Sequence, residues 1–243
     1  MAKYGLIGRD IEYSFSRSFF LQKFEKEGLK DSYHNFDLES IHLLPDLIQK
    51  NPGLKGLNVT IPYKTEVIPL LDRLDKEAGE IGAVNTIKIL SDRTLVGYNT
   101  DHYGFAKSLS DLLPLKEKTA LILGSGGASK AVEYVLKAMD FKYAIVSRGK
   151  KEGMLKYTSL TKELVEAHCL IINCTPLGTH PKVNECPGIP YQFIKKGHVL
   201  FDLIYNPGET EFLKRGFIQG ARVQNGLKML EYQAKKSWSI WKS

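Results

Sequence analysis

The sequence predicts an α/β protein of two domains with mostly parallel sheets, on three observations. Short β-type apolar runs alternate with helically spaced segments along the chain. A glycine-rich loop, Gly124-Ser125-Gly126-Gly127-Ala128-Ser129, follows an apolar run in mid-chain and opens a helical pattern. The length of 243 residues suits two modest domains at roughly 100–200 residues each.

Taken in order, residues 3–7 read as a strand, 16–27 as an amphipathic helix and 32–37 as a strand. A short helix over 42–49 is stopped by Asn51-Pro52-Gly53. Residues 56–60 form the next strand, and 65–74 a helix interrupted by Pro69. The runs 86–90 and 94–98 flank Ser91-Asp92-Arg93, which predicts a hairpin. Helical spacing over 103–113 stops at Pro114. The apolar strand 119–123 leads straight into the glycine loop, and a helix follows over 129–139. Strands are expected at 143–147, 170–173 and 198–203, and a last helix begins at Gly226 and runs to Trp241. The domain boundary falls near residues 101–103, which gives a first domain of 1–101 and a second of 102–225. The last segment, 226–243, is expected to return to the first domain because no strand follows it. No internal repeat or low-complexity segment is present.

Hydrophobic residues make up 43% and charged residues 25%, ordinary values for a globular protein with a proper core. The three cysteines, Cys169, Cys174 and Cys186, are odd in number and lack metal-type spacing. They imply reduced thiols, a cytoplasmic setting and no metal site. No apolar stretch has the length of a signal peptide or membrane span. The net charge is +7, but the lysines are scattered as short pairs among acidic residues, without a stripe of interleaved aromatics. A solvated basic surface is expected rather than a nucleic-acid or membrane partner; a small anionic substrate or cofactor also suits local positive charge.

The glycine loop is placed for a dinucleotide. Gly124 and Gly126 permit a tight turn and a close backbone approach to a pyrophosphate, and Gly127 and Ala128 open the helix. Ser129 takes the small-residue position where helix and strand pack closely. The alternative is a plain strand-to-helix turn. After the next strand, an NAD site commonly carries a carboxylate for the ribose 2′-hydroxyl, and this chain has Ser147-Arg148-Gly149-Lys150-Lys151. A guanidinium there pairs with a 2′-phosphate, so NADP is expected over NAD; the alternative is a basic surface turn.

Ahead of the loop lie Gly56-Leu57-Asn58-Val59-Thr60-Ile61-Pro62-Tyr63-Lys64, Gly82-Ala83-Val84-Asn85-Thr86 and Gly97-Tyr98-Asn99-Thr100-Asp101. Lys64 and Asp101 provide a cation and an anion, the minimum set for moving a proton beside a redox step. With Ser14-Phe15-Ser16, Asn173-Cys174-Thr175-Pro176-Leu177-Gly178, Asp202-Leu203-Ile204-Tyr205-Asn206-Pro207 and Gly226-Leu227-Lys228-Met229-Leu230 through Gln233, the series resembles the shikimate dehydrogenase family over nearly the whole chain. The resemblance implies reversible NADPH-dependent reduction of 3-dehydroshikimate to shikimate in aromatic amino-acid biosynthesis, by a monomer or homodimer.

It further implies that Lys64 is the acid/base and Asp101 its partner. An ammonium can stabilise and protonate the alkoxide that hydride addition creates. Ser14, Ser16 and Tyr205 match carboxylate contacts, and Thr60, Asn85 and Gln233 match hydroxyl contacts. On the cofactor side, Gly124, Ser125, Gly126, Gly127 and Ala128 match the pyrophosphate loop. Ser147, Arg148 and Lys151 match the adenosine-phosphate clamp, and Thr175, Leu203 and Gly226 the nicotinamide lining. Taken singly, Ser14, Ser16 and Asn85 also fit turns or caps, Gln233 an exposed helix position and Leu203 a buried strand. The chain departs from the family at Arg17 (usually proline), Phe20 (usually histidine) and Gly149 (usually threonine). The segment 151–165 is also short, so an element there is expected to be trimmed. An NAD-dependent quinate/shikimate dehydrogenase and a non-catalytic nucleotide-sensing module on the same fold are the alternatives.

Overall fold

The computed structural model describes residues 1–11, 15–149 and 152–243. The chain forms two compact units, one of Met1–Thr100 with Gln233–Ser243 and one of Asp101–Tyr232.

The first unit is built on a six-stranded sheet with β1 (Lys3–Gly8), β2 (Ser32–Asp37), β3 (Leu54–Val59), β4 (Arg73–Leu74), β5 (Thr86–Ile89) and β6 (Leu95–Tyr98), in the order β2-β1-β3-β5-β6-β4. β1 pairs in parallel with both β2 and β3, whereas β5 is antiparallel to β3 and to β6. The sheet is therefore mixed, because the hairpin predicted around residues 91–93 adds its strands to a parallel edge. Helices α1 (Phe15–Lys26), α2 (Leu44–Lys50) and α3 (Lys76–Ile81) belong to this unit.

Alternation along β1 sends its side chains into two cores. Tyr4 and Leu6 pack with Phe20, Phe24, Tyr33 and Trp241, while Ile7 packs with Leu57, Val59 and Ile87. Phe20 and Tyr33 stack with centroids 4.7 Å apart, and Tyr4 stacks on Trp241 at 4.9 Å.

One expectation fails here. Residues 65–74 do not form a helix; after turns the chain makes a 3-10 turn over Ile68–Leu70 and the short strand β4. Pro69 removes a donor, and the run is better satisfied by edge pairing with β6. The unexpected helix α3 is only six residues long, too short for periodicity to reveal. Its caps carry the signal instead: the Asp75 side chain accepts from the Ala78 N–H at 2.9 Å, and Gly82 closes it at φ 65°.

The second unit is a wholly parallel sheet of β7 (Thr119–Leu123), β8 (Lys142–Val146), β9 (Leu170–Asn173), β10 (Val199–Asp202) and β11 (Arg222–Gln224), ordered β11-β10-β9-β7-β8. Both faces of β7 are covered, Ala120 and Ile122 by Phe105 and Leu136, Leu121 and Leu123 by Val165 and Phe212. Its helices are α4 (Asp101–Ser110), α5 (Gly127–Ala138), α6 (Lys162–Glu166), α7 (Glu211–Ile218) and the first turns of α8 (Leu227–Lys242). The expected trimming leaves a 3-10 turn at Tyr157–Ser159 and the five-residue α6. Helix α7 and strand β11 are not among the expected elements; Thr210 caps α7, its hydroxyl accepting from the Leu213 N–H at 3.3 Å.

From Gln233 onward α8 lies in the first unit, where one stripe of it, Gln233, Ser237 and Trp241, is buried. Trp241 donates its indole N–H to the Ile87 carbonyl at 2.9 Å, and Gly56 on β3 lies so close that a Cβ would enter the indole. Gly56→Ala should lower the free energy of unfolding by about 2–3 kcal/mol in urea titrations, the usual cost of overpacking. A change below about 0.5 kcal/mol would show that α8 does not bear on β3 this tightly.

Candidate active site

Lys64 sits on a turn whose backbone is fixed from both sides. β3 ends at Val59, and the chain turns with Tyr63 N–H donating to Thr60 C=O at 2.9 Å and Val67 N–H to Tyr63 C=O at 3.0 Å. Tyr63 is buried, and its hydroxyl donates to the Leu38 carbonyl at 2.5 Å. The Lys64 carbonyl accepts from Val84 N–H at 2.7 Å. Backbone and neighbours are thus immobilised while the Lys64 side chain stays half-buried.

Three expected substrate contacts, Ser16, Asn85 and Gln233, lie on one buried hydrogen-bond network. Ser16 bonds to the Tyr33 hydroxyl, which donates to Asn58 Oδ1 at 2.8 Å. Asn58 Nδ2 donates to the Asn85 carbonyl (3.3 Å), Thr86 Oγ1 (3.3 Å) and Ser237 Oγ (3.1 Å). Thr86 and Thr100 bond to Ser237 at 2.8 and 3.1 Å. Asn85 Oδ1 accepts from Thr100 N–H at 2.6 Å, and Asn85 Nδ2 donates to Gln233 Oε1 at 3.4 Å. Burial pushes the Tyr33 phenol up, and the Ser16 hydrogen bond pulls against it.

Asn58, Thr86, Thr100 and Ser237 are not among the expected site residues. Asn58, Thr86 and Thr100 lie inside the quoted motifs beside Thr60, Asn85 and Asp101, and Ser237 follows Gln233 by one helical turn; those placements are the signals available.

The remaining substrate candidates are placed singly. Thr60 follows β3, half-buried, its N–H donating to Ile7 C=O at 2.9 Å. Asp101 is 5% exposed and opens α4, where the helix N-terminus favours a carboxylate. Tyr205 is half-buried beyond the end of β10. Ser14 lies outside the described residues.

In the second unit β7 sends the chain to β8 on one side, and β9 lies on its other side, so the carboxyl ends of β7 and β9 form a topological switch point. The glycine loop leaves β7 there, and Thr175 leaves β9. Gly124 has φ 107°, and a Cβ on it would lie 3.1 Å from the Thr175 methyl and 3.3 Å from the Cys174 backbone. Gly126 faces open space, and the twelve-residue α5 presents its N-terminus from Gly127 and Ala128. Ser129 is buried, its hydroxyl donating to the Gly126 carbonyl at 2.7 Å. Ser125 and Ser147 hydroxyls bond at 3.2 Å, and Arg148 is exposed. Lys151 lies outside the described residues. Leu203, half-buried, follows the end of β10, and a Cβ on Gly226 would collide with the Leu203 carbonyl. A loop with room for phosphate oxygens, a helix N-terminus and an arginine after β8 fit NADP.

One buried carboxylate stands behind this end of the sheet. Asp202 accepts from Asn173 Nδ2 (3.0 Å), Ile204 N–H (3.0 Å) and the Thr210 hydroxyl (2.6 Å). Burial pushes its pKa up to about 6, against the pull of those three donors. Burial, and then Asp202 itself, push the Cys174 thiol up.

Among the described residues, no helix is long and apolar enough to cross a membrane, and no group of three His, Cys, Asp or Glu is placed to hold a metal.

A family model described as the shikimate dehydrogenase substrate binding domain matches residues 6–87. The shikimate dehydrogenase (NADP(+)) of Methanococcus aeolicus is 38% identical over 254 residues, covering 98% of this chain and 90% of that protein. The crystal structure of shikimate dehydrogenase 1 from Peptoclostridium difficile superposes with a TM-score of 0.88 at 37% identity, covering 100% of this chain and 92% of that one. The Thermus thermophilus enzyme, solved in complex with NADP(H) and shikimate, gives 0.87 at 29% identity, with 99% and 93% covered. With identity of this order running from the Lys64 turn through the glycine loop to α8, the chain belongs to the shikimate dehydrogenase family.

Proposed function

We propose that this chain catalyses the reversible NADPH-dependent reduction of 3-dehydroshikimate to shikimate, a step of aromatic amino-acid biosynthesis. The observation that carries the reading is the fixed Lys64 turn beside a buried amide–hydroxyl network, in a chain that also carries a dinucleotide loop followed by Arg148. Relatives named for this activity with NADP(+) match nearly the full length of the chain.

Lys64 holds the acid/base proton. Its ammonium stabilises negative charge growing on the carbonyl oxygen and gives that oxygen its proton; in the reverse direction the amine takes the proton back. Asp101 supplies the carboxylate that offsets the lysine charge and accepts from a substrate hydroxyl. Asn85 and Gln233 bind ring hydroxyls, since an amide both donates and accepts, and Thr60 adds a further hydroxyl contact. Ser14, Ser16 and Tyr205 take the carboxylate. NADPH, when bound, supplies the hydride. The backbone N–H groups from Gly124 to Ala128 hold the pyrophosphate, Ser147, Arg148 and Lys151 the adenosine phosphate, and Thr175, Leu203 and Gly226 line the nicotinamide half.

We assign residues 1–101 and the last helix to substrate binding and residues 102–225 to NADP. The protein acts on a small molecule, as a monomer or homodimer, in the cytoplasm, where its three cysteines remain free thiols.

Purified protein should oxidise shikimate with NADP far faster than it oxidises quinate, and faster than with NAD. Lys64→Ala should lower turnover by about two to four orders of magnitude, with a much smaller loss of substrate binding. Equal turnover of quinate would overturn the substrate assignment, and near-normal turnover in a folded Lys64→Ala protein would remove Lys64 from the chemistry.

Arg148 follows β8, where a carboxylate would serve NAD. Its guanidinium is exposed, so solvent screening trims a charge-assisted bond that is stronger when buried. Arg148→Ala should raise the Michaelis constant for NADP by roughly tenfold and leave that for NAD almost unchanged. Equal weakening of both cofactors would make Arg148 a general adenosine contact rather than a 2′-phosphate clamp.

A further inference from the structure

We propose that Asp202 is the positioning residue of the nicotinamide half of the cofactor site, fixing the orientation of Thr175 and the path of Leu203 and Gly226. The inference rests on the reading above that those three residues line the nicotinamide.

Asp202 ends β10 with no exposed surface. As a carboxylate it can only accept, which decides the orientation of the amide it meets. Asn173 must turn Nδ2 toward Asp202 Oδ1, and its Oδ1 therefore faces the other way, toward Thr175. There it accepts from both the Thr175 N–H, at 3.0 Å, and the Thr175 hydroxyl, at 2.6 Å. Because the Thr175 hydroxyl proton is committed to Asn173, its oxygen lone pairs serve the Leu177 N–H at 3.3 Å and whatever lies beside it. The acceptor-only character of one carboxylate is thus passed through an amide to a hydroxyl at the switch point.

The same oxygen sets the turn after β10. Asp202 Oδ1 takes the Ile204 N–H at 3.0 Å, while the Leu203 N–H goes back to the Asn173 carbonyl at 3.1 Å. The Ile204 carbonyl then receives the Gly226 N–H at 2.9 Å, and only a glycine can sit against the Leu203 carbonyl at that point. Asp202 Oδ2 accepts from Thr210, which caps α7, so the turn is anchored at both ends. An amide at 202 has only one acceptor atom. With its oxygen on the Ile204 N–H and Asn173, its nitrogen faces the Thr210 hydroxyl; with its oxygen on Thr210, its nitrogen faces two donors. Either way, the set of bonds that anchors Thr175 and the turn cannot be kept as it is.

The test is Asp202→Asn, with binding measured by calorimetry for NADP and for adenosine 2′,5′-bisphosphate, which lacks the nicotinamide half. NADP affinity should fall by about tenfold, while adenosine 2′,5′-bisphosphate binding and the Michaelis constant for shikimate stay within about twofold. Equal weakening of both ligands, or no change in either, would overturn the proposal. Failure of the unaltered protein to bind adenosine 2′,5′-bisphosphate would instead strike the cofactor reading beneath it. Should Asp202→Asn not fold, Thr210→Val withdraws one of the donors from the same carboxylate. Selective loss of NADP affinity in that variant supports the proposal, and unchanged NADP affinity overturns it.

Discussion

The first unit depends on a polar contact buried where an apolar one would ordinarily sit. Asn58 on β3 is 4% exposed, and its amide is shared among Tyr33 of β2, Thr86 of β5 and Ser237 of α8. Each such bond adds only about 1 kcal/mol net, but leaving a buried partner unsatisfied costs about 1–3 kcal/mol, so the set is held together by the penalty for breaking it. The sheet explains why these residues meet. Gly56 and Asn58 are two apart on one face of β3, and Trp241 and Ser237 are four apart on one stripe of α8. The apolar pair sets how closely helix and strand approach, and the polar pair sets the register. Ser16, Asn85 and Gln233, the residues assigned to substrate, hang from this frame and take their orientation from it.

The second unit solves a similar problem with a charge. Its parallel sheet is apolar on both faces, and its buried carboxylate lies at the carboxyl ends of the strands, where β7 and β9 diverge. Asp202 sits at that edge, satisfied by an amide, a backbone N–H and a hydroxyl. In the first unit the Asn85 carbonyl and the Thr100 N–H have fixed roles and orient the Asn58 and Asn85 amides, and in the second Asp202 does the same for Asn173. That makes the two sites stiff without any metal or disulfide among the described residues.

Much of this was legible in the sequence, for reasons that differ by element. β7, the glycine loop and α5 were readable because an apolar run, a glycine turn and a helical pattern follow one another without interruption. The β5–β6 hairpin was readable from its turn residues. The stretch over 65–74 was misread because its apolar spacing is compatible with a helix, whereas pairing of β4 with β6 is a long-range choice. Helix α3 and strand β11 are six and three residues long and carry no period. Lys64, Asp101 and the cofactor residues stood out through their motifs. The network roles of Thr86, Thr100 and Ser237 did not, although the two threonines lie in motifs, because a hydroxyl buried among apolar residues looks the same in sequence as one in a turn. Nor does the sequence say that the Asn58 amide bridges three elements.

On this account one buried network both stabilises the first unit and orients the groups assigned to substrate. Asn58→Leu, which keeps the branched shape with somewhat more bulk and removes every bond the amide makes, separates the two roles. Unfolding free energy should fall by about 2–4 kcal/mol, and the Michaelis constant for shikimate should rise by roughly tenfold with that for NADP unchanged. A variant that loses stability but binds shikimate normally would show that the network holds the fold alone and leaves the orientation of Asn85 and Gln233 to other contacts.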